Sequence, residues 1–404
     1  MRFPRTVSIA AVAGAVSGFS RYPLWILLAL YFALDRHLSD LDIALIFLFS
    51  SAVPSPFSLF GGRLADRLGR RPFLLTVILG MVAGYAVLFV AVTYALSIAL
   101  VVGAMVFVTV LNSLEAVGIN ALVSDVTTEE QRLASFSLLR VSGNAGIGVG
   151  LVLAGISAEV WPGLFFLFPA VGALLEFALY WRWVPESRAA TAAPAVPERF
   201  TYRALRDRKL MVLSLLLPVA YLVANQWETP MMPLYLTGHF GIALYLVTLL
   251  YAVNTVTVVS TQFLANKVPA RIGPGVAFSV GLVLYATSDV VFWLTGNFFL
   301  LVANVVLLTS GENLTSPYAF VAISKIAPAD RRGEYFGANQ LLSGVIAPFG
   351  PFVGTFMLGY FAGGLYWMWG LLAGACLALA FTFVWVDRWL ASPSPAALPL
   401  GMSR

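Results

Sequence analysis

Seven ionisable side chains fall deep inside apolar runs of this 404-residue chain: Arg21, Glu115, Arg140, Glu176, Glu228, Asp289 and Glu312. On insertion scales, an Asp, Lys or Arg at the centre of a bilayer costs about 2.5–3.5 kcal/mol, so such residues mark function or specific pairing. Their distribution is uneven. The N-terminal half carries two bases and two acids, whereas the C-terminal half carries three acids and no base. A carboxyl withdrawn from water can hold either a proton or the positive charge of a solute, which is the duality that proton-for-cation exchange requires. Glu312 shares a helical face with Thr309 and Ser316, and Glu228 shares its segment with Tyr221 and Asn225. With Asp289, these two acids are the candidates for proton coupling.

Arg21 shares a face with Gly14 and Ser17 and is expected to point inward, either binding an anionic group of a solute or balancing an acid of its own half. Glu115 lies about seven residues before the end of its apolar run and Arg140 about six after the start of the next. At 1.5 Å per residue both sit ~9–10 Å deep, so a Glu115–Arg140 ion pair is expected. Asn112, Asn254 and Asn339 add polar groups at similar depths. The candidates for a substrate cavity are therefore Arg21, Glu115, Arg140, Asn112, Tyr221, Asn225, Asn254 and Asn339, with Trp25 and Trp227 as aromatic wall.

The elements that position these residues follow from composition. Hydrophobic residues make up 60% of the chain and charged residues 11%, against about 25% charged in an average soluble protein. Soluble enzymes, nucleic-acid binders and disordered scaffolds are disfavoured, and an integral membrane protein is expected. Cys376 stands alone, His37 and His239 are isolated, and none of Lys209, Lys267 and Lys325 follows a glycine. Neither a metal site, a disulfide nor a phosphate loop is expected, and no cofactor. The N-terminal apolar stretch runs on to Leu34, too long for a signal peptide, and reads as a first span.

Runs of ~20 apolar residues place spans near 6–34, 42–60, 73–92, 97–122, 134–157, 163–183, 209–236, 242–265, 275–295, 298–323, 334–360 and 363–390. The fold expected is an all-α membrane protein with twelve transmembrane helices in two six-helix bundles. Of 24 Lys and Arg, 21 fall at the termini or in even-numbered connections, so the positive-inside rule puts both termini in the cytoplasm. Residues 185–208 are polar, Ala- and Pro-rich, and read as a cytoplasmic linker. They separate an N-terminal bundle (1–184) from a C-terminal bundle (209–390), which a tail (391–404) follows. The halves also match each other at an offset of 200. LADRLGRR from Leu64 faces LANKVPAR from Leu264, and Arg132, Phe136 and Gly150 face Arg332, Phe336 and Gly350. A parallel structural repeat about an axis along the membrane normal is expected.

The stretch Gly61-Gly62-Arg63-Leu64-Ala65-Asp66-Arg67-Leu68-Gly69-Arg70-Arg71 resembles the helix 2–3 loop signature of the major facilitator superfamily. Asp125 through Arg132 leading to Arg140 and Asn144, Gly311-Glu312, and IAPADRRGEYFGANQ resemble its drug:proton antiporter branch. Gly146, Gly150 and Gly155 are in register with that branch's helix 5 motif, although Leu151 and Ala154 replace its Pro and a Gly. The resemblance implies a secondary transporter of the cell membrane, working by alternating access on a small-molecule substrate with H⁺ as coupling ion. It is expected to act as a monomer among lipids, with no nucleic acid as partner. Proton-coupled efflux of amphipathic compounds is one implied activity, and import or exchange of an anionic or zwitterionic metabolite is the other. A channel or receptor is a third class, which the repeat and the loop signature disfavour. The resemblance also implies that helices 7 and 10 line the cavity and that helices 6 and 9, with Glu176 and Asp289, lie at the periphery. It further implies a conformational latch of Gly62, Asp66, Arg67, Gly69, Arg70 and Arg71, with Asp66 facing the start of helix 11 and Arg70 reaching Asp125. A spacing such as Gly146-x-x-x-Gly150 lets helix backbones approach closely.

Overall fold

In hydrocarbon every backbone N–H and C=O must be satisfied within its own segment, so long apolar runs become helices. The computed structural model describes residues 3–158, 164–187, 204–265, 267–316, 318–327 and 332–391. The core of the expected linker and the tail beyond 391 lie outside the described residues. Among the described residues there are twelve helical spans and no strand.

The first six are α1 (Arg5–Leu30, with a wider turn at Tyr31–Asp35), α2 (Asp40–Ala52 and Pro54–Leu68), α3 (Arg70–Thr93), α4 (Ile98–Val126), α5 (Glu129–Ala158) and α6 (Leu164–Trp183). The second six are α7 (Arg208–Ala224 and Met231–Phe240), α8 (Leu244–Ala265), α9 (Pro274–Leu294), α10 (Phe298–Thr315 and Tyr318–Ile326), α11 (Arg332–Ile346 and Phe349–Tyr360) and α12 (Leu365–Ala391). Eleven of these are long and apolar enough by themselves to cross a membrane. The remaining one, α2, is interrupted where Pro54 removes a backbone donor. An even number of spans returns the chain to the side where it began. Lys209 Nζ, at the start of α7, accordingly reaches the Leu390 carbonyl at the end of α12 at 2.9 Å.

Local chemistry fixes the helix starts. Ser39 and Asp42 form a capping box on α2. Asp207 caps α7 and Asn297 caps α10 through their side-chain oxygens. Gly69 and Gly273 turn the chain into α3 and α9 with φ of 90° and 91°, a region open to glycine.

These two glycines correct the repeat register. They are 204 residues apart (273 − 69), not 200. The second half is thus one helical turn longer before α9 than the sequence match suggests.

Within the first half α1 packs on α5 and α6, and between the halves α5 packs on α8. On the side away from the termini, the first segment of α2 packs on the second segment of α11, where Asp40 lies against Gly359. The halves are therefore closed together on that side.

Candidate functional site

The α7 rod is not a continuous helix. The polar run Asn225–Glu228 forms a tighter 3-10 turn, and Pro230 cannot continue it. Gln226 Nε2 bonds the Leu222 carbonyl at 2.5 Å and the Gly350 carbonyl of α11 at 3.3 Å. This turn swings Glu228 out of the helix stack into the interior. Discontinuous helices of this type place polar groups at the bilayer midplane without exposing backbone to lipid.

Two chambers meet there. One, of about 310 Å³, is polar and is lined by Arg140 and Asn144 of α5, Glu228 of α7, Asn254 of α8 and Glu312 of α10. The other, of about 360 Å³, is mostly apolar and is lined by Trp25, Phe47, Met105, Pro230 and Pro351, with Ser50 and Thr109 as polar groups. Tyr22, Glu228 and Tyr251 line both and stand between them. Glu228 and Arg140 are exposed side chains, and the chamber is what they are exposed to. Asn254 Nδ2 donates to Thr309 Oγ1 at 2.9 Å and to Glu312 Oε2 at 3.1 Å, which orients the carboxyl.

The expected Glu115–Arg140 pair does not form. Arg140 turns across the interface between the halves toward Glu228 and Glu312. Glu115 is held instead by Arg21, whose NH1 contacts Glu115 Oε2 at 2.5 Å and Asn112 Oδ1 at 3.1 Å. The other arm of Arg21 bonds Glu176 of α6. Arg21, Glu115 and Glu176 are all nearly sealed within the first half, and none of them lines either chamber. Equal depth did not imply pairing, because it leaves the direction around each helix open. Arg21 thus pairs with two acids of its own half.

Other candidates separate as well. Asp289 faces Cys376 of α12, whose Sγ lies 4.0 Å from its Oδ2, apart from both chambers. Tyr221 bonds the Thr315 carbonyl at 2.9 Å, and Asn225 accepts from the Tyr285 hydroxyl at 2.8 Å, so both tie helices together. Asn112 donates to Tyr85 at 2.9 Å, and Asn339 Oδ1 is buried without a partner. Trp25 lines the apolar chamber, whereas Trp227 is buried in a stack with Tyr251 and Phe292. Sequence reasoning missed Tyr22, Tyr251 and Gln226. The polar run before Pro230 was the available signal for the broken helix.

At the terminus side of the first half, Arg70 Nε donates to Asp125 Oδ2 at 2.9 Å. Arg67 is exposed. The side chain of Asp66, and the surroundings of Gly62 and Gly155, lie outside what is described. Glu186, not anticipated from sequence, takes the backbone N–H groups of Arg70 and Arg71 at 2.9 and 3.0 Å and so caps α3. On α5, a Cβ added at Gly146 or Gly150 would collide with the α1 backbone at Ala15 or Phe19.

Two six-helix halves around a central chamber that holds charges at mid-membrane define a multi-pass membrane transporter. A sequence profile of the Major Facilitator Superfamily matches residues 10–229 and 223–398. The chain belongs to that superfamily, whose members here are transporters and not enzymes. It is 27% identical over 395 residues to the MFS-type transporter YqjV of Bacillus subtilis, covering 94% of this chain and 93% of that one. It is 28% identical over 295 residues to the multidrug resistance protein MdtH of Cronobacter sakazakii, covering 72% and 70%. Among solved structures, a POT family transporter in complex with 5-aminolevulinic acid aligns with a TM-score of 0.78 at 14% identity, over 96% of this chain and 97% of that one. The human organic anion transporter MFSD10 aligns with a TM-score of 0.65 at 16% identity, over 96% and 100%.

Proposed function

We propose that the protein is a proton-coupled exporter of small amphipathic compounds that works by alternating access. The observation that carries this reading is the junction of the two chambers at Glu228. A solute with an apolar body and a positive end can place the body among Trp25, Phe47 and Met105 and the charge at Glu228 or Glu312. The same carboxyls bind a proton once the solute leaves. Ion and solute then compete for one negative site, which is the condition for exchange. Likeness to the multidrug resistance protein MdtH points the same way. The 21 bases of the termini and even-numbered connections orient both termini to the cytoplasm. On that orientation the closed outer contact of α2 with α11 makes this an inward-facing state.

Arg140 favours a second reading. A cation opposite two acids in one polar chamber suits a zwitterionic solute, with its anionic group on Arg140 and its ammonium on Glu228 or Glu312. Proteoliposomes under an imposed pH gradient separate the two. Accumulation of a fluorescent lipophilic cation driven by the gradient supports exchange of amphipathic cations. Gradient-driven movement of a zwitterion such as 5-aminolevulinate alone supports the second reading, and no effect of the gradient on either solute would sink both.

A further inference from the structure

Apart from the central chambers, a cavity of about 410 Å³ opens at the terminus-side rim of the first half. Arg5 from the start of α1, Arg71 from the first turn of α3 and Arg182 from the last turn of α6 all line it, together with Trp181 and Trp183. Three separate helices thus bring three guanidinium groups to one concavity. Like charges gathered in this way repel unless an anion joins them.

No acid of the described protein does so. None of the ion pairs among the described residues involves Arg5, Arg71 or Arg182. The neighbouring acid, Glu186, has both carboxylate oxygens on the N–H groups that open α3. One terminal nitrogen of Arg71 donates to the Trp181 carbonyl at 2.5 Å, whereas its Nε is buried without a partner. The guanidinium of Arg182 lies 6.0 Å from the ring centroid of Trp183.

The surroundings indicate the class of anion this concavity suits. Trp181 and Trp183 are 60% and 42% exposed at the end of a membrane span. Tryptophan at that depth sits at the headgroup level of a bilayer. Basic pockets between spans at this level take anionic lipid headgroups.

We infer that the cavity of Arg5, Arg71 and Arg182 binds the phosphodiester headgroup of an anionic phospholipid, with its acyl chains running along Trp181 and Trp183. Arg5 and Arg182, both exposed at the rim, are the donors open to a phosphate oxygen. A lipid seated there bridges α1, α3 and α6 at the loop that carries the family signature.

Native mass spectrometry of the purified full chain, titrated with phosphatidylglycerol or phosphatidylcholine, tests the site. Preferential retention of phosphatidylglycerol is expected. Each Lys or Arg near an anionic surface contributes ~1 kcal/mol, so Arg5→Gln and Arg182→Gln should each weaken retention by about fivefold. Arg182→Lys should keep most of it, and Trp181→Ala should weaken phosphatidylglycerol retention. Inorganic phosphate and glycerol 3-phosphate form the soluble arm. If either displaces phosphatidylglycerol at low millimolar concentration, the site is one for free anions and the lipid assignment fails. Equal retention of both lipids, or unchanged retention in the double variant Arg5→Gln/Arg182→Gln, also overturns it. Circular dichroism confirms that each variant compared is folded.

Discussion

Arg21 and Glu115 meet at 2.5 Å between α1 and α4, with each side chain only 6% exposed. The same guanidinium also holds Glu176 of α6, so one base fastens three helices of the first half. Breaking a buried ion pair from one side costs about 3–5 kcal/mol, because the remaining charge is left uncompensated. Arg21→Met strands two carboxyls and should lower the thermal-shift midpoint sharply, with loss of folded yield in detergent. Replacing all three members by apolar residues of similar volume should restore much of the midpoint. A single variant as stable as the parent would show that the cluster does not hold the helices.

The α1–α5 crossing depends on the absence of side chains at Gly146 and Gly150, where the α1 backbone occupies the space of a Cβ. Overpacking a tight contact costs about 1–3 kcal/mol, and here rigid backbone would have to move. Gly146→Ala and Gly150→Ala should each reduce thermal stability and transport. Gly103 in α4 has open space around it, so Gly103→Ala serves as the control and should leave both unchanged. Equal behaviour of all three variants in a thermal-shift and uptake series would refute the crossing.

The twelve spans were legible because a bilayer demands long apolar runs, and little else in a sequence imitates them. What lies around each helix was not. Glu115 and Arg140 share a depth, yet one turns to Arg21 within its half and the other across to Glu228 and Glu312. Hydropathy reports depth along the membrane normal and is silent on azimuth. The break in α7 at Asn225–Glu228 lay within a run of sufficient apolar length, so span-finding passed over it. The repeat was visible, but its 200-residue register followed matching letters, whereas Gly69 and Gly273 turn the chain 204 residues apart.

Glu228 and Glu312 share the polar chamber with Arg140, and coupling through them makes a paired prediction. Glu312→Gln and Glu228→Gln keep shape and hydrogen bonding but remove the ionisable group. Each should cut gradient-driven transport about tenfold or more, the equivalent of ~1.4 kcal/mol at the rate-limiting step. Solute exchange without a gradient should persist in at least one of them. Asp289→Asn, away from both chambers, should leave the response to pH intact. Transport assayed at matched protein density in proteoliposomes gives the answer, and full gradient-driven activity in both glutamine variants removes these acids from coupling.

Arg70 and Asp125 join the start of α3 to the end of α4 at 2.9 Å, with side chains 14% and 31% exposed. A pair open to water contributes little to stability, about 0.2–1 kcal/mol. If the pair positions the loop that latches the halves, its effect should fall on transport rather than folding. Arg70→Gln and Asp125→Asn should shift the thermal midpoint only slightly while slowing transport several-fold. The exchange Arg70→Asp/Asp125→Arg should recover part of the rate, because it restores the attraction with the charges reversed. Rates measured for the two single variants and the exchange under one pH gradient decide this. Single variants with parental rates would reduce Arg70 and Asp125 to charges that set topology alone.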